Sequence, residues 1–453
     1  MNNNITVPNT QRALVLQGGG ALGAYEVGVL KVLCDTLIEG KVNAKKEGPL
    51  FDIIVGTSVG AMNAAVLISN VVNRNKTWEQ SVEVLESFWT DEEKGLSSNP
   101  DYSKWWWNDG NKQNFVKSEE AARKYYSVKE YYKHGTPNVC TPPFLTGLDT
   151  KFGDQVDNLW FHHTSEPLEK TIIKYSQDEG NKKMKIATSW EKKEPRLLIV
   201  AVDVTEGRTM TFDSYHREAE DPKNPLYDGD GITIDHIMAS GTLPEFYDFR
   251  EIGGHKFCDG GLLSNTPFRE LLQAHQDYWL YVIDKGKKKI PDLEVYVVNV
   301  YPSKGEGIPD DDHDGVKDRI NDIIFFDRNS HYDENVTDTA TDYTVIITKL
   351  KHIAKGFMSS DKIDAFEDDF ENWLKMTDAK SKSNKGENRT YRDILYGGFK
   401  LTNVIRIEYK GYENSISGKI SDFTSKTIKH LIQQGKEYPS DLVNGSKGTS
   451  NKS

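Results

Sequence analysis

Cysteine is scarce in this sequence, and long apolar runs are missing from it. The three cysteines, Cys34, Cys140 and Cys258, show no CxxC spacing, which argues against a disulfide framework and against a zinc site. No run approaches the roughly 18 apolar residues of a membrane-spanning helix, and residues 1–12 contain no basic segment followed by an apolar one. We therefore expect a cytoplasmic protein whose contact with any membrane is peripheral.

An excess of positive charge is also missing. The 453 residues include 69 acids and 57 bases, which gives a formal net charge of −12. Nucleic acid selects basic surfaces, so it is not an expected partner. The chain contains 9 Trp, 21 Tyr and 18 Phe, and side chains of this size need burial to offset their ordering entropy. We expect a folded chain, either one large domain with additions or about two to three domains.

The N-terminal part alternates between strand and helix patterns. Residues 12–17 (RALVLQ) form a short apolar run that stops at three glycines, and residues 21–38 place apolar side chains near helical spacing. A second apolar run, residues 51–55 (FDIIV), leads into residues 61–68 (AMNAAVLI), which favour a helix. This alternation predicts the α/β class with a parallel sheet.

Later segments indicate further elements and some polar regions. Residues 76–135 are rich in acids, lysines and aromatics, which indicates an insertion of helices and loops. Residues 377–390 are polar and charged, which predicts a linker, and the tail from residue 441 is expected to be disordered. The remaining patterns predict strands at 196–203, 294–301 and 402–409, a hairpin partner at 208–212, and helices at 232–241, 339–375 and 421–436.

Gly56, Ser58 and Gly60 form a GxSxG motif between the second strand and the second helix. A tight turn between these elements holds the serine on a sharp bend, and small residues two positions to either side avoid clashes. The hydroxyl then projects over the sheet edge, at the positive end of the helix. This context favours a nucleophile over a serine that only stabilises a turn.

Gly18, Gly19 and Gly20 form another strand-to-helix turn, which allows two interpretations. With Gly23 the run satisfies GxGxxG, the dinucleotide fingerprint, which requires an acidic residue about 20 positions on, at the end of the second strand. That strand ends in the GxSxG turn instead. The other interpretation is an oxyanion hole, in which glycine amides point at a developing negative oxygen. We favour it, because a nucleotide site does not explain the serine.

Asp259 is the candidate for the base that a nucleophilic serine needs. It lies between a short apolar stretch and Gly260-Gly261, a loop-like position that frees its carboxylate. Asp-Gly-Gly is also an ordinary turn sequence, so these residues by themselves leave both roles open.

Three blocks of the sequence resemble the signature blocks of the patatin-like phospholipases. They occur in the family's order within about residues 12–275, as QGGGALGAYEVGVLKVL, VGTSVGAMNAA and ASGTLPEFYDFREIGGHKFCDGGLLSNTP. The resemblance implies a three-layer α/β/α sandwich with a mostly parallel central sheet, helical insertions and a C-terminal extension. We expect a catalytic domain at 11–275, an extension at 276–440 that completes the core or packs on it, and a tail at 441–453.

The resemblance also implies a chemistry. Ser58 would be the nucleophile and Asp259 its proton acceptor, without a histidine, while Gly18, Gly19 and Gly20 would donate to the oxyanion. Fatty-acyl esters of lipids or phospholipids would be cleaved through an acyl-enzyme, without a metal or a cofactor. A carboxylate is a weak base for serine, so we expect partial burial to raise its pKa.

Leu22 departs from the family pattern, in which Arg or Lys is common at this position. The backbone amides do not depend on this side chain. Its missing charge puts in doubt any electrostatic help to the oxyanion and any selectivity for charged head groups. The sequence leaves the lipid class, the acyl position and the oligomeric state open.

Two other functions stay open from the residues alone. A Ser-His-Asp hydrolase would use a histidine such as His236, His255 or His275; of these His275 follows Asp259, as the α/β-hydrolase order requires, but in a predicted helix. A lipid-binding protein on an inactive hydrolase fold is the second alternative. The presence of both Ser58 and Asp259 argues against it.

Residues 310–321 partly fit a calcium-binding loop. The twelfth position is Asn321 rather than the bidentate Glu, and Lys317 stands where an apolar residue is usual. An acidic surface loop is therefore the favoured interpretation. The residues that do fit are Asp310, Asp312, Asp314 and Gly315 at positions 1, 3, 5 and 6, and Asp318 at position 9.

Overall fold

The structure is a computed structural model. It describes residues 7–44, 48–99, 119–141, 163–177, 184–215, 231–282, 289–305, 312–382, 388–411 and 415–437. By its internal contacts the chain divides into two compact units. The smaller comprises Met1–Ala13, Phe268–Val295 and Arg328–Val404, and the larger comprises Leu14–Pro267, Tyr296–Asp327 and Ile405–Ser453.

Helices and strands alternate through the first part of the chain, as the apolar periodicity predicts. The strands are β1 (Thr10–Leu16), β2 (Ile53–Thr57), β3 (Lys185–Ile186), β4 (Arg196–Asp203), β5 (Arg208–Asp213), β6 (Ile232–Thr233), β7 (Arg250–Ile252), β8 (His255–Asp259), β9 (Asp292–Asn299), β10 (Thr377–Lys382), β11 (Asn388–Thr390) and β12 (Leu401–Glu408). The helices are α1 (Ala24–Ala44), α2 (Val59–Val72), α3 (Trp78–Thr90), α4 (Glu119–His134), α5 (Glu166–Ser176), α6 (Ile234–Ser240), α7 (Phe268–Val282), α8 (His313–Phe325), α9 (Ser330–Gly356), α10 (Ser360–Leu374), α11 (Tyr391–Tyr396) and α12 (Ser425–Lys436).

A mixed, mostly parallel sheet flanked by helices forms the centre of the fold, which confirms the expected α/β/α class. Its strand order is β12-β9-β1-β2-β4-β8-β7, and β5 pairs with β4 beside this path. β2 and β4 are parallel, whereas β4 with β8 and β8 with β7 are antiparallel. Strand β4 is buried along its whole length, as is typical of a strand covered on both faces.

The hydrophobic core of the larger unit lies around this sheet. α2 is buried over most of its length, from Val59 to Asn70, and the inner faces of α1 and α3 contribute Leu30, Leu33, Leu85 and Phe88. The described residues contain no helix that is long and apolar enough to cross a membrane.

Most elements predicted from the sequence are confirmed within one or two residues at one end or both. The strands predicted at 196–203 and 402–409 are β4 and β12, and the predicted hairpin is β4 with β5. The segment predicted as helical at 339–375 is two helices, because α9 ends at Gly356 and α10 begins at Ser360.

The prediction of a linker at 377–390 is wrong. β10 and β11 pair there in antiparallel fashion, with Thr377 opposite Thr390. Backbone hydrogen bonds form this pairing, and they do not require apolar and polar residues to alternate. The polar sequence therefore gives no strand signal. Helix α7 spans residue 275, where we expected the catalytic domain to end, and the division into a catalytic domain and an extension stays a prediction. Residues 441–453 lie outside the described residues.

Helices α1 and α12 approach each other closely at Gly28. A Cβ added to Gly28 would overlap the carbonyl oxygen of Ile432 and would lie 2.8 Å from Gly435 Cα. Ile428, Leu431 and Ile432 of α12 are buried. The C-terminal helix can therefore pack on α1 only because neither helix carries a side chain where they cross.

Replacing Gly28 by Ala should push α12 away from α1 and lower the free energy of unfolding by about 1–3 kcal/mol. Gly40→Ala is the matched control, since Gly40 is exposed in the same helix and nothing lies within 4 Å of the added Cβ. That change should raise stability by up to about 1 kcal/mol through helix propensity. Urea denaturation measures both, and equal effects would contradict a tight crossing.

Candidate active site

Ser58 occupies a strained turn between β2 and α2. Its backbone has φ 54° and ψ −124°, a conformation that is costly for a residue with a side chain and is concentrated at functional sites. A Cβ at Gly60 would overlap the carbonyl oxygen of Leu16, and one at Gly56 would overlap Gly60 itself. Both glycines of the motif are thus required by close backbone contact, which leaves the serine hydroxyl at the end of the strand.

Asp259 ends β8 and faces Ser58. The Ser58 hydroxyl donates a hydrogen bond to Asp259 Oδ2 at 2.6 Å, and the Gly261 N–H donates to Asp259 Oδ1 at 2.7 Å. Asp259 is 2% exposed and Ser58 8%. Burial raises the pKa of Asp259 to about 6, although both hydrogen bonds act in the opposite direction. The carboxyl is therefore a stronger base than an exposed aspartate.

Strand β4 places these two residues next to each other. Thr57, just before the serine, lies opposite Val200 of β4, and Ala201 lies opposite Asp259. Ser240, the last residue of α6, joins the arrangement. Its hydroxyl donates to the Val200 carbonyl at 2.5 Å and accepts from the Ser58 N–H at 2.8 Å.

The glycine turn lies beside Ser58, since a Cβ at Gly18 would come 3.1 Å from Ser58 Cβ. The Gly18 N–H donates to the backbone oxygen of Asn265 at 3.1 Å, and Asn265 Nδ2 donates to the Gly18 oxygen at 3.2 Å. The Gly18 amide therefore has an acceptor in this structure, and its role as an oxyanion donor stays a prediction. The amides of Gly19 and Gly20 have no acceptor among the described residues.

Gly20 adopts φ +55°, a left-handed conformation that favours glycine. A Cβ there would overlap the backbone oxygen of Ile420, in the short 3₁₀ helix Lys419–Ser421. The C-terminal part of the larger unit thus packs directly on the glycine turn.

Leu22 is buried and lines a pocket. Lys124 and Lys419 line the same pocket. Lys419 forms ion pairs with Asp318 at 3.0 Å and Asp322 at 2.5 Å, and burial lowers the pKa of Lys124 to about 8. Basic side chains from other elements therefore lie near position 22, where the residue itself carries no charge.

Behind the turn, Asn63 of α2 connects three elements. Its Nδ2 donates to the Gly23 oxygen at 3.0 Å and to Glu26 Oε2 at 2.8 Å. Its Oδ1 accepts from the indole N–H of Trp89 at 2.8 Å. Burial raises the pKa of Glu26 well above its ordinary value. One buried amide thus holds α2, the start of α1 and α3 in register.

The three histidines considered as alternative bases bond elsewhere. Among the residues that the structure describes, Ser58 and Asp259 receive no hydrogen bond from His236, His255 or His275. The observed partners are Asp203 Oδ2 for His255 Nδ1 at 2.8 Å, the Pro291 oxygen for His275 Nε2 at 2.8 Å, and the Thr233 N–H for His236 Nδ1 at 3.0 Å.

The acidic segment considered for calcium begins a helix rather than forming a loop, within the part that is described. Asp312 caps α8 by accepting from the Gly315 N–H at 3.0 Å, and Asp314 accepts from the Ser417 N–H at 3.0 Å and hydroxyl at 2.6 Å. Asp310 lies outside the described residues. No group of three or more His, Cys, Asp or Glu side chains in the described ranges could hold a metal ion.

The sequence that forms this site matches a known protein family. The family model of the patatin-like phospholipases matches residues 14–272, more than half of the chain. This chain belongs to the patatin-like phospholipase family. The match spans the patatin-like glycine turn, the GxSxG turn and Asp259.

Individual relatives are distant. A cGAMP-activated phospholipase of Vibrio cholerae is 22% identical over 294 residues, which are 63% of this chain and 63% of that protein. The chain thus matches less than two thirds of the length of this relative. The crystal structure of VipD from Legionella pneumophila aligns with this chain at 13% sequence identity and a TM-score of 0.32. The alignment covers 94% of this chain and 67% of the VipD chain.

Two residues of the patatin-like site were missed from the sequence. Ser240 and Asn265 both lie in the third signature block, in ASG and SNTP. Their position in that block was a signal that the sequence offered. Their roles could not be predicted, because each side chain bonds to a backbone group of a distant segment: Ser240 to Ser58, and Asn265 to Gly18.

Replacing Asn63 by Leu should destabilise the protein. The Trp89 indole and the Glu26 carboxyl would both lose a partner in the core, at about 1–3 kcal/mol each, so we expect a loss of roughly 3 kcal/mol in the free energy of unfolding. Asn73→Leu, directly after the same helix, removes only an exposed hydrogen bond to the Lys185 oxygen and should change stability by less than about 0.5 kcal/mol. Similar losses in both variants would show that the buried amide has no special role.

Proposed function

We propose that this patatin-like protein is a serine lipid-acyl hydrolase that cleaves fatty-acyl esters of phospholipids through an acyl-enzyme. Ser58 attacks the ester carbonyl, and Asp259 accepts the proton of its hydroxyl. The 2.6 Å hydrogen bond from Ser58 Oγ to Asp259 Oδ2 is the single observation that carries this proposal.

The oxyanion of the tetrahedral intermediate would be stabilised by the amides of Gly19 and Gly20. Both belong to the turn beside Ser58, and neither has another acceptor among the described residues. Collapse of the intermediate expels the alcohol, which takes the proton from Asp259. Water then attacks the acyl-serine as Asp259 accepts its proton, and Asp259 returns this proton to the Ser58 oxygen as the fatty acid leaves.

Two exposed leucines close to Asp259 in the chain support a lipid substrate. Leu262 and Leu263 follow Asp259 by three and four residues and are 51% and 54% exposed. Apolar side chains left in water beside a reactive pair are suited to an acyl chain. The phospholipase activity in the name of the Vibrio cholerae relative agrees with this choice.

Ser58→Ala should abolish covalent labelling by a fluorophosphonate probe, because the probe reacts with an activated serine hydroxyl. Wild-type protein should be labelled at Ser58, as peptide mass spectrometry would show. Ser69→Ala is the control, since Ser69 is a buried serine of α2 whose hydroxyl bonds to the Val66 oxygen. Absence of labelling in folded wild-type protein would refute the hydrolase.

Asp259 should give the hydrolysis of a neutral, soluble p-nitrophenyl ester a simple pH dependence. Its pKa of about 6 means that the carboxylate is present above this pH and is lost below it. We expect kcat/KM to be level at neutral pH, to reach half its maximum near pH 6 and to fall about tenfold per unit below. A profile that stays level down to pH 4 would contradict a base with this pKa.

Asp259→Asn should remove this activity without unfolding the protein. The folded-state pKa of about 6 exceeds the unfolded value of about 3.9, so the folded state binds more protons between these values and stability decreases as pH rises through them. At pH 8 the variant, which has no charge to bury, should melt at the same temperature as the wild type or higher. An active Asn variant would exclude Asp259 as the base.

A further inference from the structure

Helix α9 presents a continuous apolar stripe to solvent. Each of its apolar members is at least 44% exposed, and Phe357, directly after the helix, is 88% exposed. Thr339 is the one polar residue in the series. The apolar members are Tyr332, Val336, Tyr343, Ile346, Leu350, Ile353 and Phe357.

The spacing along this stripe alternates strictly between four and three residues from Tyr332 to Phe357, with Thr339 counted. A repeat of 3.5 residues is the pattern of a coiled-coil seam, in which the apolar residues occupy positions a and d. The face of an ordinary surface helix would be wider and would follow a period of 3.6. The stripe spans about 39 Å at 1.5 Å per residue.

The opposite face of α9 makes the contacts within the smaller unit. The Thr341 hydroxyl donates to the Phe399 oxygen at 2.6 Å, and Lys351 pairs with Glu367 of α10 at 2.6 Å. Lys355 also pairs with Glu367. The helix is thus held by polar side chains on its inner face while its apolar seam points outward.

We propose that this seam, Tyr332 to Phe357 of α9, binds the same seam of a second copy of the chain, as an antiparallel two-helix coiled coil. The d positions are Tyr332, Thr339, Ile346 and Ile353, and the a positions are Val336, Tyr343, Leu350 and Phe357. When the two helices overlap along their full length, every a position of one copy meets a d position of the other. The layers are Tyr343 on Ile346, Val336 on Ile353, Leu350 on Thr339, and Phe357 on Tyr332 of the second copy.

The charges beside the seam select the antiparallel orientation. Asp342 and Lys349 are exposed and occupy g positions, directly before the a residues Tyr343 and Leu350. In this register Asp342 of each copy faces Lys349 of the other, so that the pair occurs twice across the twofold axis. In a parallel pair Asp342 would face Ile347, and Lys349 would face Ala354. Only the antiparallel arrangement therefore matches the two charges with each other.

The size of the seam suits a stable dimer. The seven apolar side chains, between 44% and 88% exposed, offer roughly 700 Å² per copy, close to the about 800 Å² per partner of a standard interface. A lipid surface is the competing occupant. It would not require the strict 3.5-residue repeat, and the exposed Asp338 and Asp342 beside the stripe would oppose binding to anionic lipid.

Sedimentation velocity of the full chain at about 50 µM tests the proposal. We expect wild-type protein to sediment as a dimer of the 51.4 kDa chain. Ile346→Glu places two charges at the centre of the seam and should raise the dissociation constant at least about 100-fold. Val345→Glu is the matched control, because Val345 is equally exposed on the same helix but lies off the seam. It should leave the dimer intact.

Charge exchange tests the orientation. Asp342→Lys and Lys349→Asp should each weaken the dimer about tenfold or more, because each places like charges opposite each other, and the double variant should restore it. Circular dichroism and melting temperature verify that every variant is folded.

Several results would overturn the proposal. A monomeric wild type or equal dissociation of the Val345→Glu and Ile346→Glu variants would exclude the seam as a dimer interface. A double variant as weak as the single ones would exclude the antiparallel register. Flotation of monomeric wild type, but not of Ile346→Glu, with phosphatidylcholine vesicles would assign the stripe to lipid instead.

Discussion

The register of β4 is the constraint on which the candidate active site depends. Ser58 and Asp259 are separated by 201 positions, and neither belongs to the same local element as the other. β4 pairs with β2 on one side and with β8 on the other, so that Thr57 and Asp259 lie opposite the consecutive residues Val200 and Ala201. A slip of one residue on β8 would turn its side chains to the other face and separate the pair.

Burial of the pair is a consequence of the same arrangement. A carboxylate between buried strands loses water, and this loss raises the pKa of Asp259 to about 6 even though Ser58 and Gly261 donate hydrogen bonds to it. Holding such a charge at neutral pH destabilises the protein, and the raised pKa is what the proposed role of Asp259 as a base requires. Ser240 and Asn265 hold the surrounding backbone, as the proposed reaction requires of a preorganised site.

The two helices α2 and α9 use apolar residues in opposite ways. α2 is buried over most of its length because neighbours cover it, and the strained turn of Ser58 directly precedes it. α9 contacts its own unit through threonines and lysines and leaves its apolar seam in water. A solvated seam with a 3.5-residue repeat is incomplete by itself, whereas α2 already has its partners.

Much of this protein follows from the sequence alone. The α/β order of the first part and the strand-to-helix turns at Gly18–Gly20 and Ser58 could be predicted because apolar periodicity and glycine turns are local properties. The family of the chain could be predicted for the same reason, since its signature blocks are short and continuous. The β10–β11 hairpin could not, because its polar strands carry no periodic signal.

Only the tertiary structure decided which groups meet. The Gly18 amide donates to the Asn265 oxygen, and His255 pairs with Asp203 rather than with the serine. The inner face of α9 is its polar one, although periodicity by itself favours burial of the apolar face. These outcomes depend on contacts between residues far apart in the chain, and such contacts cannot be predicted from a local sequence pattern.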